Sequence, residues 1–209
     1  GRVLQLQINP VAVEPVSFHY DDPCCFKRIY QSVYNHLVEN DPQAEREPVY
    51  VCIGTDRATG DCLGPLVGSR LKSLVPFAQI FGTLEEPAHA VNLAEILDTI
   101  KTSIPQALII AIDACLGKAD RIGFINVKKG SLQPGTALNK KLPAVGDFHV
   151  SGVVNVGGVL DHLVLQNTRL YVVYRMAELI AEGLTVAHLQ YLRRRERTAI
   201  RGPFPGERP

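Results

Sequence analysis

The residues best placed to carry out chemistry in this chain are two aspartates, Asp61 and Asp113. Asp61 lies in a loop that follows the apolar segment 48–54, and Asp113 directly follows the apolar segment 107–112. In an open α/β sheet, ligands bind outside the carboxyl ends of the strands, so carboxylates delivered there can converge on one substrate. Two converging carboxylates indicate acid/base catalysis or a bound metal ion.

Each aspartate also has a simpler structural interpretation. Asp61 follows Gly60 at the predicted start of a helix, where an aspartate commonly caps the first turn by accepting backbone N–H bonds. Asp113 would end a strand of apolar residues, where a carboxylate is costly unless loop amides or another partner bond to it. The conjunction of the two at one edge of a sheet favours a functional role, but the residues alone leave both interpretations open.

Other residues are candidates for lining or supporting a substrate cleft. Gly54, Asp56 and Gly64 belong to the same loop region as Asp61, and His149 lies near the start of a predicted strand. The glycine spacing matches neither the dinucleotide fingerprint nor the phosphate-binding loop with its Lys-Ser/Thr pair, so a nucleotide site is not indicated. An isolated histidine is more often structural than catalytic, which keeps His149 a supporting candidate.

The composition argues against several classes of partner. The 209 residues include 22 basic and 21 acidic side chains, so the net charge of +1 provides no overall field for nucleic acid or an anionic membrane. No apolar run approaches the roughly 20 residues needed to span a bilayer, and the first residues lack the apolar core of a signal peptide. We therefore expect a soluble intracellular protein without a nucleic-acid or membrane partner.

The five cysteines lack the spacing of a zinc site or of a CxxC redox pair. They are Cys24, Cys25, Cys52, Cys62 and Cys115. We interpret them as reduced thiols in a cytosol-like compartment, and we assign no metal ligand. Thiol catalysis ranks below carboxylate chemistry because the aspartates next to Cys62 and Cys115 disfavour a thiolate.

The apolar patterns predict an α/β fold with a mainly parallel sheet. Near-continuous apolar runs at 48–54 and 107–113 are typical of strands buried on both faces, and 79–84 is a third strand. Amphipathic helices are predicted at 63–75 and 89–104, so the strands and helices alternate. Two consecutive βα units imply right-handed crossovers and parallel strands.

The remaining elements complete one domain. They are a helix from about 23 to 40, an exposed strand at 121–127, an irregular segment at 131–146, a strand at 148–155, a short helix at 156–166 and a long helix at 168–191. We expect a single α/β domain at 23–192. It lies between an N-terminal arm, 1–22, of undetermined order and a basic, Pro-rich tail, 193–209.

Ordered segments over about two thirds of the chain resemble the YyaC-type sporulation proteins of endospore-forming Firmicutes. The segments are Cys52–Gly68, Gly82–Leu93, Ile109–Gly117, Pro134–Lys140 and Leu142–His149. That family is related to the germination protease that degrades small acid-soluble spore proteins, and its architecture is similar to that of hydrogenase maturation endopeptidases. The resemblance implies a three-layer α/β/α, phosphorylase/hydrolase-like fold.

The resemblance also implies roles for particular residues. The germination protease uses two catalytic aspartates, and its motifs resemble Asp61-Cys-Leu-Gly-Pro65 and Ile110-Ala-Ile-Asp-Ala114, so Asp61 and Asp113 are implied as the catalytic pair. A Pro-Gly-rich segment there resembles 134–139, which places Asn139 beside the cleft. This chain is shorter, shows no evident propeptide and differs at Thr55-Asp56, so the protease's substrate and zymogen control do not transfer.

Together these inferences give a hypothesis and a rival. The hypothesis is an aspartic-type peptidase in the cytoplasm of the sporulating cell or spore, acting on a protein or peptide without a cofactor, with a divalent metal between the carboxylates as an alternative. The rival is a non-catalytic sporulation protein that uses the inherited cleft to bind a protein partner, because fold does not imply function. Self-association is compatible with either.

Overall fold

A computed structural model describes residues 15–134, 142–158 and 160–201 of the chain. The described residues form one six-stranded sheet. Its strands are β1 (Val16–His19), β2 (Glu47–Cys52), β3 (Gln79–Phe81), β4 (Ala107–Gly117), β5 (Phe124–Lys129) and β6 (Phe148–Val156). The spatial order is β1-β5-β6-β4-β2-β3. Strand β5 runs antiparallel to both β1 and β6, and the other neighbouring strands are parallel to each other. The predicted mainly parallel sheet is therefore confirmed.

Helices cover both faces of the sheet. They are α1 (Cys25–Asn40), α2 (Leu63–Leu74), α3 (Leu93–Ser103), α4 (Asp161–Gln166) and α5 (Leu170–Arg201). Residues of α1, α2 and α5 share one hydrophobic core, whereas α3 contributes to a second core on the other face. The chain thus has the α/β fold that the apolar patterns predicted and the three-layer α/β/α architecture that the resemblance implied. No helix in the described ranges is both long enough and apolar enough to cross a membrane.

The central strands are apolar throughout because both of their faces are buried. In β2, Tyr50 and Cys52 face the core that contains α1, α2 and α5, and Val49 and Val51 face the core that contains α3. Side chains alternate between the two faces of a strand, so a strand between two helical layers needs apolar residues at every position. This requirement explains why β2 was recognisable from sequence.

Strand β4 is longer than the apolar run predicted, and the interpretation of Asp113 as the end of a strand is wrong. Asp113 lies inside β4, paired with Ser151 of β6, and the two strands remain paired as far as Gly117 and Val156. On the other side, β2 stops at Cys52, so Asp113 borders the point where β2 leaves the sheet. Pairing with β6 extends β4 because β6 offers hydrogen-bonding partners beyond the apolar segment.

The ends of the described chain are also more regular than their composition suggests. Strand β1 lies within the segment predicted as an arm and pairs with β5 over four residues. Helix α5 continues through the basic segment 193–197 and ends at Arg201. Arg195 contacts Glu47 at 2.6 Å, and Arg194 donates to the carbonyl of Pro42 at 2.8 Å. These charged side chains therefore link α5 to the start of β2 and to the loop before it.

Helix α3 begins at Leu93 rather than at residue 89, and two smaller elements also begin later than predicted. Strand β5 starts at Phe124 rather than at residue 121, because a short 3-10 turn occupies Ala119–Arg121 and Gly123 follows it with a φ of 88°. Helix α4 starts at Asp161 rather than at residue 156 because β6 extends to Val156.

Candidate functional site

Two glycines allow the loop after β2 to fold back against its own strand. A Cβ on Gly54, whose φ is 144°, would lie 2.1 Å from the carbonyl oxygen of Asp61. A Cβ on Gly64 would lie 2.0 Å from the carbonyl oxygen of Ile53. The amide of Thr55 donates to the Asp61 carbonyl at 2.9 Å and closes the loop. Both glycines therefore support the backbone that carries Asp61.

Asp61 ends a short 3-10 turn and does not cap α2. The residue at the N-cap of α2 is Cys62, and no side chain bonds to the first turn of the helix. The Asp61 carboxyl is half-buried; burial raises its pKa to about 6, and a backbone hydrogen bond at Thr55 partly opposes the increase. The capping role that local sequence favoured is therefore wrong, and the carboxyl is available for another role.

Asp113 is more deeply buried than Asp61, with 7% of its surface exposed. Burial raises its pKa well above the ordinary range, and the negative charge of Asp61 raises it further, while a backbone hydrogen bond at Ala114 acts in the opposite direction. The two shifts thus favour an ionised Asp61 next to a protonated Asp113.

The topology of the sheet brings the two aspartates together. Helices α2 and α3 pack on opposite faces, and the connections from β2 and from β4 leave adjacent strands in different directions. Such a switch in direction opens a crevice at the carboxyl end of the sheet. Asp61 enters it from the loop after β2, and Asp113 enters it from β4.

A row of polar side chains crosses the sheet at the level of Asp113. Strand register aligns Ser17 of β1, Asn126 of β5, Ser151 of β6 and Asp113 of β4 on the same face. The Ser17 hydroxyl donates to the Asn126 amide oxygen at 2.6 Å. Sequence analysis missed this row, although Asn126 and Ser151 are each a polar residue between apolar neighbours.

His149 lies on the same face of the sheet as Asp113, two residue pairs away along the strands. It pairs with Ala111, two residues before Asp113 in β4, which corresponds to roughly 7 Å along the strand. Its Nδ1 lies 2.9 Å from the carbonyl oxygen of Gly130, so Nδ1 carries the hydrogen and donates it. Burial lowers the pKa of His149, the Gly130 bond opposes this, and nearby Lys128 lowers it further. The ring is therefore neutral at pH 7.

The remaining candidates lie farther from the pair or outside the described residues. Asp56 is exposed to solvent in the loop before the 3-10 turn. The pKa of the neighbouring Cys62 thiol is raised by burial and by the charges of Asp56 and Asp61, which disfavours a nucleophilic thiolate. Asn139, the resemblance-based cleft candidate, lies outside the described residues.

The described residues contain no side-chain cluster suited to a metal ion. No group of three or more histidine, cysteine, aspartate or glutamate side chains in residues 15–134, 142–158 and 160–201 has the geometry of a metal site. Asp61 and Asp113 would supply two ligands to a cation between them, and its further ligands would come from backbone, substrate or solvent oxygen.

Comparison with known proteins gives the family. Residues 17–183 match a family model described as "Protein of unknown function (DUF1256)". The protein named "Uncharacterized protein YyaC" of Bacillus subtilis strain 168 is 48% identical over 139 residues, which cover 66% of this chain and 68% of that protein. The resemblance to YyaC-type proteins is thus confirmed, and the chain belongs to the DUF1256 family.

Proposed function

We propose that this chain is a peptidase in which Asp61 acts as the general base and Asp113 as the general acid. The observation that carries the proposal is the asymmetry of the pair. Asp113 is buried and its pKa is raised both by burial and by the charge of Asp61, whereas the pKa of half-buried Asp61 is about 6. Two nearby carboxyls with different proton affinities are the arrangement by which aspartic dyads activate water.

The proposed reaction uses both protonation states. The Asp61 carboxylate removes a proton from a water molecule, and the water oxygen attacks the carbonyl carbon of the scissile peptide bond. The Asp113 carboxylic acid donates a hydrogen bond and then its proton to the carbonyl oxygen as the tetrahedral intermediate forms. Collapse of the intermediate returns that proton to Asp113, and the leaving amine takes the proton from Asp61.

The resemblance described above supports the peptide substrate and the setting. The motifs around Asp61 and Asp113 resemble those of the aspartic-type germination protease, whose substrates are spore proteins. We therefore propose a protein or peptide substrate in the cytoplasm of the sporulating cell or spore. The resemblance supports the class of reaction, and the substrate is to be found by experiment.

The test is proteolysis of small acid-soluble spore proteins and of a mixed-peptide library, analysed by mass spectrometry. Wild-type protein should cleave, and Asp61→Asn and Asp113→Asn should each lose roughly 100-fold or more of kcat/KM, because general acid–base catalysis contributes about that much. The matched control is Asp98→Asn, an exposed aspartate on α3 that should cleave like wild type. Full activity in Asp113→Asn would remove the pair from the mechanism.

The same assay separates the alternatives. Chelator that abolishes cleavage, with recovery on adding a divalent metal, would assign the pair to a metal rather than to a proton-sharing dyad. No cleavage by wild type on any substrate, with Asp61 and Asp113 both intact, would overturn the peptidase. It would favour a non-catalytic sporulation protein that binds a protein partner through the crevice.

A further inference from the structure

A second cavity lies at the carboxyl end of β6, beside α4. It has a volume of about 380 Å³, within the range of small-ligand pockets, roughly 300–1,000 Å³. Its lining residues are Asn155, Val156, Gly157, Leu160, Leu163, Val164 and Asn167. No candidate from the sequence analysis belongs to this cavity.

Helix α4 lies between this cavity and the turn that carries Asp61. A Cβ on Gly60 would lie 2.7 Å from the Leu165 side chain and 2.8 Å from the Thr168 hydroxyl, so the turn packs directly on the α4 region. Asn155, in the cavity wall, donates to the same Thr168 hydroxyl at 3.2 Å. The cavity wall and the turn that carries Asp61 thus share Thr168 as a neighbour.

The lining favours an apolar occupant. Four of its side chains are aliphatic and none is charged. Asn155 already donates to Thr168 and accepts from the amide of Val156 at 2.8 Å, and the amide nitrogen of Asn167 donates to the carbonyl of Leu163 at 2.8 Å. The Asn155 side chain and the side-chain nitrogen of Asn167 are therefore already hydrogen-bonded within the protein.

The conformation of Leu160 provides a further constraint. Leu160 has a φ of 66°, a left-handed conformation that is uncommon for a residue with a bulky side chain. The turn is stabilised by a hydrogen bond from the Gly158 amide to the Asp161 carboxylate at 2.9 Å. It leaves Leu160 62% exposed at the cavity rather than packed in the core.

We propose that this cavity is a specificity subsite that binds an aliphatic side chain of the substrate, a few residues from the scissile bond. An extended peptide advances roughly 3.3–3.6 Å per residue, so a residue close to the cut can reach a cavity beside the turn of Asp61. The proposal rests on the peptidase function, because the position of Asp61 defines where the bond is cut. An apolar side chain would gain affinity by leaving water for the Leu160 and Leu163 surface.

The first test compares Leu163→Asp with Leu189→Asp. Leu163 lines the cavity and Leu189 lies on α5 outside it, and both are 41% exposed, so the two variants add the same charge at equally accessible leucines. On peptides with leucine or serine at each position within four residues of the cut, wild type should prefer leucine at one position roughly tenfold or more. Leu163→Asp should lose that preference and Leu189→Asp should keep it.

The second test reads binding without catalysis. Fluorescence polarisation would measure the affinity of fluorescein-labelled peptides, with leucine or serine at the preferred position, for two proteins. One is Asp113→Asn, and the other is Asp113→Asn combined with Leu163→Asp. Selective binding of the leucine peptide, weakened roughly tenfold by Leu163→Asp, would support the subsite. If wild type at the same time cleaved nothing, the peptidase function would be overturned and the binding site would stand. Cleavage without side-chain preference, an unchanged preference in Leu163→Asp, or binding that does not discriminate the peptides would overturn the subsite.

Discussion

At the scale of single residues, the site is an unequal pair of acids. Asp61 reaches the crevice on a tight loop and stays half-buried, while Asp113 lies within a strand, where solvent reaches 7% of its surface. Water stabilises a carboxylate far better than a protein interior does, so the more buried acid keeps its proton longer. The difference in burial is therefore the basis of the two chemical roles proposed for these acids.

The first prediction at this scale concerns the pH dependence of cleavage. The proposed mechanism requires Asp61 ionised and Asp113 protonated, so kcat/KM should rise as pH increases through about 6 and fall at the higher pH where Asp113 loses its proton. The measurement is kcat/KM on one peptide from pH 4 to 10. A rate that is constant between pH 5 and 7 would contradict the role of Asp61 as base.

The second prediction concerns the stability of the folded chain. The folded-state pKa of Asp113 is raised above its unfolded value, so the folded protein binds a proton that the unfolded chain releases above about pH 4. Stability is thus lost as pH rises from about 4 towards the folded pKa, at roughly 1.4 kcal/mol per pH unit. Asp113→Asn has no carboxyl to titrate at this position. Its free energy of unfolding, relative to that of wild type, should therefore increase by more than about 1 kcal/mol between pH 4 and pH 7.5.

Urea unfolding at the two pH values measures this difference. Asp98→Asn is the control because that carboxyl is exposed, and its unfolding free energy should follow wild type at both pH values. Parallel pH curves for Asp113→Asn and wild type would show that Asp113 titrates normally in the folded chain.

At the scale of elements, the site depends on how closely α2 approaches the end of β2. Gly64, in the first turn of α2, leaves no room for a side chain above the carbonyl oxygen of Ile53. The contact holds the loop carrying Asp61 against the strand next to β4. The alignment of β4 with β6 then supplies Asp113 and the polar row on the other side of the crevice.

The prediction at this scale is that Gly64→Ala destabilises the chain and impairs the site. The added Cβ would lie 2.0 Å from a backbone oxygen, so α2 or β2 must shift, at a cost of roughly 2 kcal/mol or more. Gly130→Ala is the control, because nothing lies within 4 Å of its Cβ and only its φ of 77° is unfavourable. Thermal unfolding would compare the two; an equal loss in both would contradict the close contact.

At the scale of the whole molecule, a polar network joins the helical layer to the end of the sheet away from the crevice. The single hydroxyl hydrogen of Tyr191 on α5 is shared between two acceptors, the carboxylate of Asp41 and the carbonyl oxygen of Arg46. Arg46 in turn bonds to Asp147 at 3.0 Å, and Asp147 accepts the amide of Ile109 at 2.8 Å. These bonds connect α5 with residues that begin β2 and β4, far along the strands from Asp113.

The prediction at this scale is that Tyr191→Phe lowers stability without changing the pH profile of activity. Burial alone would raise the pKa of Asp41, but hydrogen bonds from Tyr191 and the Arg46 backbone outweigh it, and the pKa is lowered. The stabilisation is therefore present above the unfolded pKa and disappears as pH falls. Removing the hydroxyl should cost roughly 1–2 kcal/mol at pH 7 and less at pH 3.

Urea unfolding at pH 7 and pH 3 checks this prediction, with Tyr171→Phe, an exposed tyrosine of the same helix, as control. A shifted pH optimum of cleavage in Tyr191→Phe would show that the network and the crevice are coupled.

Much of the fold could be predicted from sequence because the central elements are defined by local burial. Strands β2 and β4 are apolar on both faces, α2 and α3 have apolar stripes, and their alternation implies a parallel sheet. The candidates Asp61 and Asp113 were found because one lies in the loop after a predicted buried strand and the other directly follows a second such strand. By itself the sequence thus determined the alternation of strands and helices, the sheet direction and the two candidate acids.

Only the tertiary structure decided what surrounds those acids. The extension of β4 past Asp113, the alignment of Asp113 with Ser151 and Asn126, and the cavity beside α4 all depend on strands or helices that are distant in the chain. The pKa values of Asp61 and Asp113 depend on the same packing. A local pattern records whether a side chain is buried, but its neighbours, and hence its charge state, follow from which distant elements pack against it.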